Sequence, residues 1–219
     1  MKFKTFAILL VWAAAFTAQA DLYNYDYSGV NTIIRDNDTA GLSETHVLSG
    51  LNGTITGISV TLDTSGGYNG DLYGYLVSDS GYAVLLNRIG VSGSNPFGSA
   101  TSGMDVTLAS GATDNIQSAG GAAGTELTGI FQADGRTTSP LSVASSDPVT
   151  ATMDSFIGGD PNGAWTLFLA DVSPGGQSTL DSWSMQITTT PEPITVALSG
   201  FFGLVLISRL ARRGLSWVW

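Results

Sequence analysis

Cysteine is absent from the 219 residues, and lysine occurs only at Lys2 and Lys4. Without cysteine there is no disulfide framework, so stability has to come from burial, aided by any bound cation. Histidine is a single residue, His46, in "SETHVL". A Ser-His-Asp system needs a histidine between hydroxyl and carboxylate. The chain also has no G-x-S-x-G elbow and no subtilisin-like Asp, His and Ser motif set. His46, beside Thr45 and Glu44, is read as a surface or turn residue, and the chain as a non-enzyme. No carboxylate pair of a glycosidase stands out among the acids. Positive charge is equally scarce: between residues 21 and 190 only Arg35, Arg88 and Arg136 face 17 acidic residues, 15 of them Asp. Such a surface repels phosphate backbones, which excludes nucleic acid as a partner.

The ends of the chain differ from its middle. "MKFKTFAILLVWAAAFTAQA" carries Lys2 and Lys4, an apolar run from Phe6 to Phe16, and Ala18-Gln19-Ala20. That order is a basic n-region, an h-region and a small-x-small site, so residues 1–20 read as a signal peptide cleaved between Ala20 and Asp21. At the other end, "TTTPEPITVALSGFFGLVLISRLARRGLSWVW" has no charge from Pro193 to Ser208. About 16 helical residues reach roughly 24 Å, a short span that snorkelling Arg209 extends toward the ~30 Å of a hydrocarbon core. The spacing predicts a transmembrane helix over about 193–210, with Arg209, Arg212 and Arg213 holding the terminus cytoplasmic and Trp217 and Trp219 at the interface. "TTTP" at 188–191 reads as a brief extended linker.

Between the ends, short segments alternate with period two. Ile58, Val60 and Leu62 share one face of "TITGISVTL". "DLYGYLVSDSGYAVLL" puts Leu72 and Leu76 on one face and Tyr73, Tyr75 and Val77 on the other, with Ser80-Gly81 at the turn. Trp165, Leu167 and Leu169 alternate against Thr166, Phe168 and Ala170, and Trp183, Met185 and Ile187 against Ser182, Ser184 and Gln186. With Gly, Ser, Asp and Asn between them, these segments predict an all-β fold, an antiparallel β-sandwich with both tryptophans in its core. No segment of the middle has a helical period, and Ser92–Ser146, dense in Gly, Ala, Ser and Thr, is expected to combine a few strands with long loops.

Two resemblances follow. Pro191-Glu192-Pro193, the apolar span and the arginine cluster resemble the PEP-CTERM sorting signal of Gram-negative bacteria. That likeness implies recognition by an exosortase-type membrane transpeptidase in bacteria that make exopolysaccharide. It also implies passage through signal peptidase and the export machinery, then a membrane-anchored precursor bound for the cell surface or extracellular matrix. Residues 33–188 resemble a P/Homo B domain, the β-sandwich found beside the catalytic domain of subtilisin-like proprotein convertases and many bacterial proteases. The motifs are Gly70-Asp71-Leu72, Asn162-Gly163-x-Trp165-Thr166-Leu167 with Asp171, and Leu180-x-x-Trp183, in the family's order. "IIRDND", where the family often has a proline before the aspartate, and "SAGGAAG" at 118–124 depart from it. The resemblance implies a jelly-roll-like sandwich over 21–189, followed by the sorting tail at 190–219.

Two readings of the acidic surplus stand side by side: a solvated surface that keeps the protein soluble, and a Ca²⁺ site. Asp71 and Asp171 adjoin apolar strands, so burial would require arginine, backbone donors or a cation. Asp79, Asp105, Asp114 and Asp181 are weaker candidates near turns. Tyr68, Tyr73, Tyr75 and Tyr82 are the candidate carbohydrate platform. Two functions are therefore expected: an exported matrix module binding polysaccharide or matrix protein, or an accessory domain for a separate subtilisin-like serine protease.

Overall fold

A computed structural model describes residues 20–190, which form one compact unit. Residues 1–19, within the expected signal peptide, and 191–219, with the expected sorting tripeptide, transmembrane span and C-terminal arginines, lie outside the described residues. Among the described residues no helix is long and apolar enough to cross a membrane.

Ten strands make two sheets. In chain order they are β1 (Asp21–Tyr27), β2 (Thr32–Ile34), β3 (Asp38–Leu48), β4 (Ile55–Gly66), β5 (Leu72–Ser78), β6 (Gly81–Asn87), β7 (Met104–Ala109), β8 (Leu127–Phe131), β9 (Gly163–Asp171) and β10 (Ser178–Thr189). The six-stranded sheet runs β1-β10-β4-β7-β8, with β2 continuing the edge that β1 forms on β10. The four-stranded sheet runs β3-β9-β5-β6. Helical structure among these residues is three single 3-10 turns, at Asn69–Asp71, Ile116–Ser118 and Met153–Phe156.

The period-two reading places the core. Ile58, Val60 and Leu62 of β4, Leu72 and Leu76 of β5, Trp165, Leu167 and Leu169 of β9, and Trp183, Met185 and Ile187 of β10 are buried in one continuous apolar cluster. Inward residues of both sheets thus merge, which is what a sandwich requires. Trp165 is fully buried and donates its indole N–H to the Pro161 carbonyl at 2.9 Å. Before it, Gly163 adopts φ 111°, while the Asn162 side chain brackets Leu51, accepting from its N–H at 3.0 Å and donating to its carbonyl at 2.9 Å. That turn fixes where β9 begins.

Four expectations need correction. The sandwich is not wholly antiparallel: β7 and β8 pair in parallel, because the long segment between them crosses over instead of folding back as a hairpin. Thr188 and Thr189 are strand residues, and the Thr190 N–H bonds to the Thr54 carbonyl at 2.9 Å, so this stretch belongs to the sheet and is not a linker. Asp105 and Asp181 sit on strands, Asp105 directly opposite Asp63, away from turns. His46 lies on β3 opposite Trp165, so its parity turns the ring toward the core side of an edge strand. There it stacks on Tyr27 with ring centroids 3.7 Å apart, 5.6 Å from Trp183.

Candidate functional site

Asp71 closes the 3-10 turn Asn69–Asp71 and Asp171 ends β9; the pairing of β5 with β9 sets Leu72 opposite Asp171 and so brings the two carboxylates together. Asp71 is 5% exposed and Asp171 fully buried. The Asp171 Oδ1 accepts from the Ser173 N–H at 3.3 Å, while its Oδ2 is buried with no partner. Burial, then the nearby Asp71 and Asp36 charges, push the Asp171 carboxyl up to about 6, against the backbone N–H groups of Ser173 and Asn37. Burial also raises Asp71, and Asp36 adds to the rise; the Ser173 hydroxyl and the Arg88 guanidinium pull the other way. The Arg88 Nη2 stands 3.7 Å from Asp71 Oδ1, beyond hydrogen-bond distance, and its Nε donates to the Gly70 carbonyl at 3.0 Å. This corner therefore holds more negative charge than it neutralises.

Asp71 also forms part of the wall of an open cavity of about 290 Å³, shared with Tyr68, Phe97, Gly98, Ser99, Ala100, Ser173 and Pro174. Tyr68 thus stands apart from the other three tyrosines of the expected platform. Those three come together on the outer face of the four-stranded sheet, and Phe168 joins them. Tyr75 lies opposite Phe168 across β5–β9, with ring centroids 4.7 Å apart and planes within 14°. Tyr73 meets Phe168 and Tyr75 edge-on at 6.3 and 6.2 Å, and Tyr75 lies 5.5 Å from Tyr82. The Tyr73 and Tyr82 hydroxyls are 3.2 Å apart; burial first and this bond second raise the Tyr73 phenol. Beside the rings, Thr45 and Thr166 share a hydroxyl–hydroxyl bond of 2.8 Å, and Val47 on the same face is exposed. The outward positions of β9 and β5, from Ala164 to Ala170 and Tyr73 to Val77, carry no charge.

The other sequence-picked residues do not converge. Asp79 and Asp114 lie in turns, and among the described residues no three His, Cys, Asp or Glu side chains group closely enough to hold a metal. His46 Nε2 is 3.9 Å from Glu44 Oε2 and accepts or donates no hydrogen bond to a serine. Phe168 could have been added to the platform from its parity on β9, which sets it outward with Thr166. The pairing register that puts it beneath Tyr75 has no local signature.

No family model matches the chain, and no curated protein matches it. Among solved structures it is similar to the Aeromonas sobria serine protease in complex with its chaperone, at 15% identity and TM-score 0.43, over 78% of this chain and 27% of that one. It is likewise similar to the serine protease of Aeromonas sobria crystallised alone, at 14% identity and TM-score 0.40, over 81% of this chain and 28% of that one. The chain therefore spans little more than a quarter of the length of the structures it matches.

Proposed function

We propose that this protein is an exported, non-catalytic β-sandwich module that binds polysaccharide through the aromatic face of its four-stranded sheet. The observation that supports it is the uncharged patch of Tyr73, Tyr75, Tyr82 and Phe168 on one face. Sugar rings present C–H faces that pack on the electron-rich faces of aromatic rings, and the tyrosine and threonine hydroxyls offer hydrogen bonds at the rim. Residues 1–20 deliver the chain across the inner membrane, and the PEP-CTERM tail passes it to an exosortase-type transpeptidase for display on the envelope or in the matrix. A Ca²⁺ ion at Asp71 and Asp171 would supply the positive charge this corner lacks, with carbonyls and water completing the 6–8 oxygens it prefers. The orphaned Asp171 Oδ2 fits that role.

Affinity electrophoresis through gels containing native matrix polysaccharide tests the platform, with calcium and without it. Retardation should be strong for the wild type and largely lost for Tyr75→Ala with Tyr82→Ala. Equal retardation of both would remove the aromatic face from the proposal. Specific capture of a subtilisin-like protease, without polysaccharide binding, would favour the accessory role instead.

A further inference from the structure

The cavity at Tyr68, Asp71 and Phe97 lies apart from the aromatic face formed by Tyr73, Tyr75, Tyr82 and Phe168. Asp71, only 5% exposed, is among its lining residues. Two aromatic residues line it as well: Tyr68 is 43% exposed and Phe97 77% exposed. Phe97 is thus available to a ligand that enters the cavity it lines. The walls are prearranged. The Asn95 side chain donates to the Gly98 carbonyl at 2.7 Å and Ser99 N–H to the Ile89 carbonyl at 2.7 Å, which holds the Phe97 loop. Gly70 packs so tightly on that loop that a Cβ there would lie 2.5 Å from the Phe97 carbonyl oxygen. Gly175 packs next to both groups: a Cβ there would lie 3.4 Å from the Tyr68 ring and 3.8 Å from Asp71 Oδ2.

Charge decides the occupant. Asp36 acts on Asp71 with like sign, Asp71 does the same to Asp171, and Arg88, 3.7 Å from Asp71 Oδ1, spends its hydrogen bonds on the Gly70 carbonyl and, at 3.4 Å, the Pro96 carbonyl. A cation with an apolar stem fits: the head near Asp71, the methylenes against Tyr68 and Phe97, where the ring faces also attract positive charge. An amino sugar carries its ammonium directly on a hydroxylated ring and has no such stem. We infer that this cavity receives a lysine or arginine side chain from a partner polypeptide. The site is independent of the polysaccharide face on the outer side of the four-stranded sheet, and a Ca²⁺ ion at Asp71 would compete with the side chain for the same carboxylate.

The test is saturation-transfer NMR on the full chain in detergent micelles, in chelator-treated buffer, with Nα-acetyl-lysine-N-methylamide as probe. Norleucine and glucosamine counterparts serve as the neutral and sugar arms. The lysine probe should show transfer strongest at its δ and ε methylenes and bind at least tenfold more tightly than the norleucine analogue. Phe97→Ala and Tyr68→Ala, both at exposed positions, should each weaken it several-fold without shifting the melting temperature, and Asp71→Asn should remove most of the preference over norleucine. Equal binding of lysine and norleucine probes, tighter binding of glucosamine, or unchanged affinity in the two aromatic variants would overturn the assignment.

Discussion

Two groups of buried aspartate lie within this one sandwich, and they are treated in opposite ways. At the outer edge of β6, Asp134 and Arg136 are both fully buried. Arg136 grips the carboxylate with two parallel bonds of 2.7 Å, donates to the Asn87 carbonyl at 2.6 Å and to the Ala144 carbonyl at 3.0 Å. Asn87 returns two bonds of 2.9 Å to the Arg136 and Thr138 carbonyls. Every charge there has a partner, and the result is mechanical: the segment from Asp134 to Ala151 is laced onto β6, covering a strand edge that would otherwise be open. At Asp71 and Asp171 the carboxylates repel each other, the arginine stands off at 3.7 Å, and one buried oxygen has no partner. A closed ion pair builds the fold; an under-neutralised one leaves charge for a ligand to meet.

The sharpest way to break that comparison is to cut the closed pair. Arg136→Met should cost about 3–5 kcal/mol, because it strands the Asp134 charge in the interior. Against a total of roughly 5–15 kcal/mol, that leaves little folded protein. Adding Asp134→Leu should recover much of the loss, and denaturant titration of single and double variants measures it. If the double variant is no better than the single, the pair is not the reason for the damage. Trp165→Ala is the uncharged comparator: it should also cost about 3–5 kcal/mol through the cavity it leaves. Its penalty should be the same at pH 4.5 and pH 7.5; a mutant that melts with the wild type would show the ring is not core.

At the open pair the sign reverses. The Asp171 carboxyl is raised from 3.8 to about 6, so the folded state holds its proton more tightly than the unfolded chain does. Its contribution to stability is full below about pH 4 and lost as pH rises through about 6. Asp171→Asn should therefore stabilise the metal-free protein at pH 7.5, by up to about 3 kcal/mol, and do almost nothing at pH 4. A variant that is less stable at both pH values would mean that Asp171 is needed as an acceptor and is not a charge under repulsion.

Calcium gives the smallest effect. A cation that binds only the folded state stabilises it by RT ln(1 + [L]/Kd), about 2.7 kcal/mol at a hundredfold excess over Kd. For a domain of this size that is roughly 5–10 °C in melting temperature. Magnesium, which demands a tight octahedral shell, should give less, and Asp171→Asn should abolish most of the calcium increment. Equal shifts with both ions that survive the substitution would mean diffuse screening of an acidic surface.

What the sequence by itself determined is the part that depends on parity along a strand. Alternate side chains point to opposite faces, so Trp165, Leu167 and Leu169, or Trp183, Met185 and Ile187, declare their burial without knowledge of any neighbour. The same parity sends Tyr73, Tyr75 and Phe168 outward. Which strand lies beside which is a different kind of information. It depends on the hydrogen-bond register between segments far apart in the chain, where each choice is stabilised only when the others are made. Only the tertiary structure could lay β8 parallel to β7, slide Phe168 beneath Tyr75, and turn His46 onto Tyr27. Asp134-Gly135-Arg136 shows the division most plainly. Two opposite charges two residues apart are ordinary in a surface loop, and it is the carbonyls of Asn87 and Ala144, brought from elsewhere in the chain, that allow both to be buried.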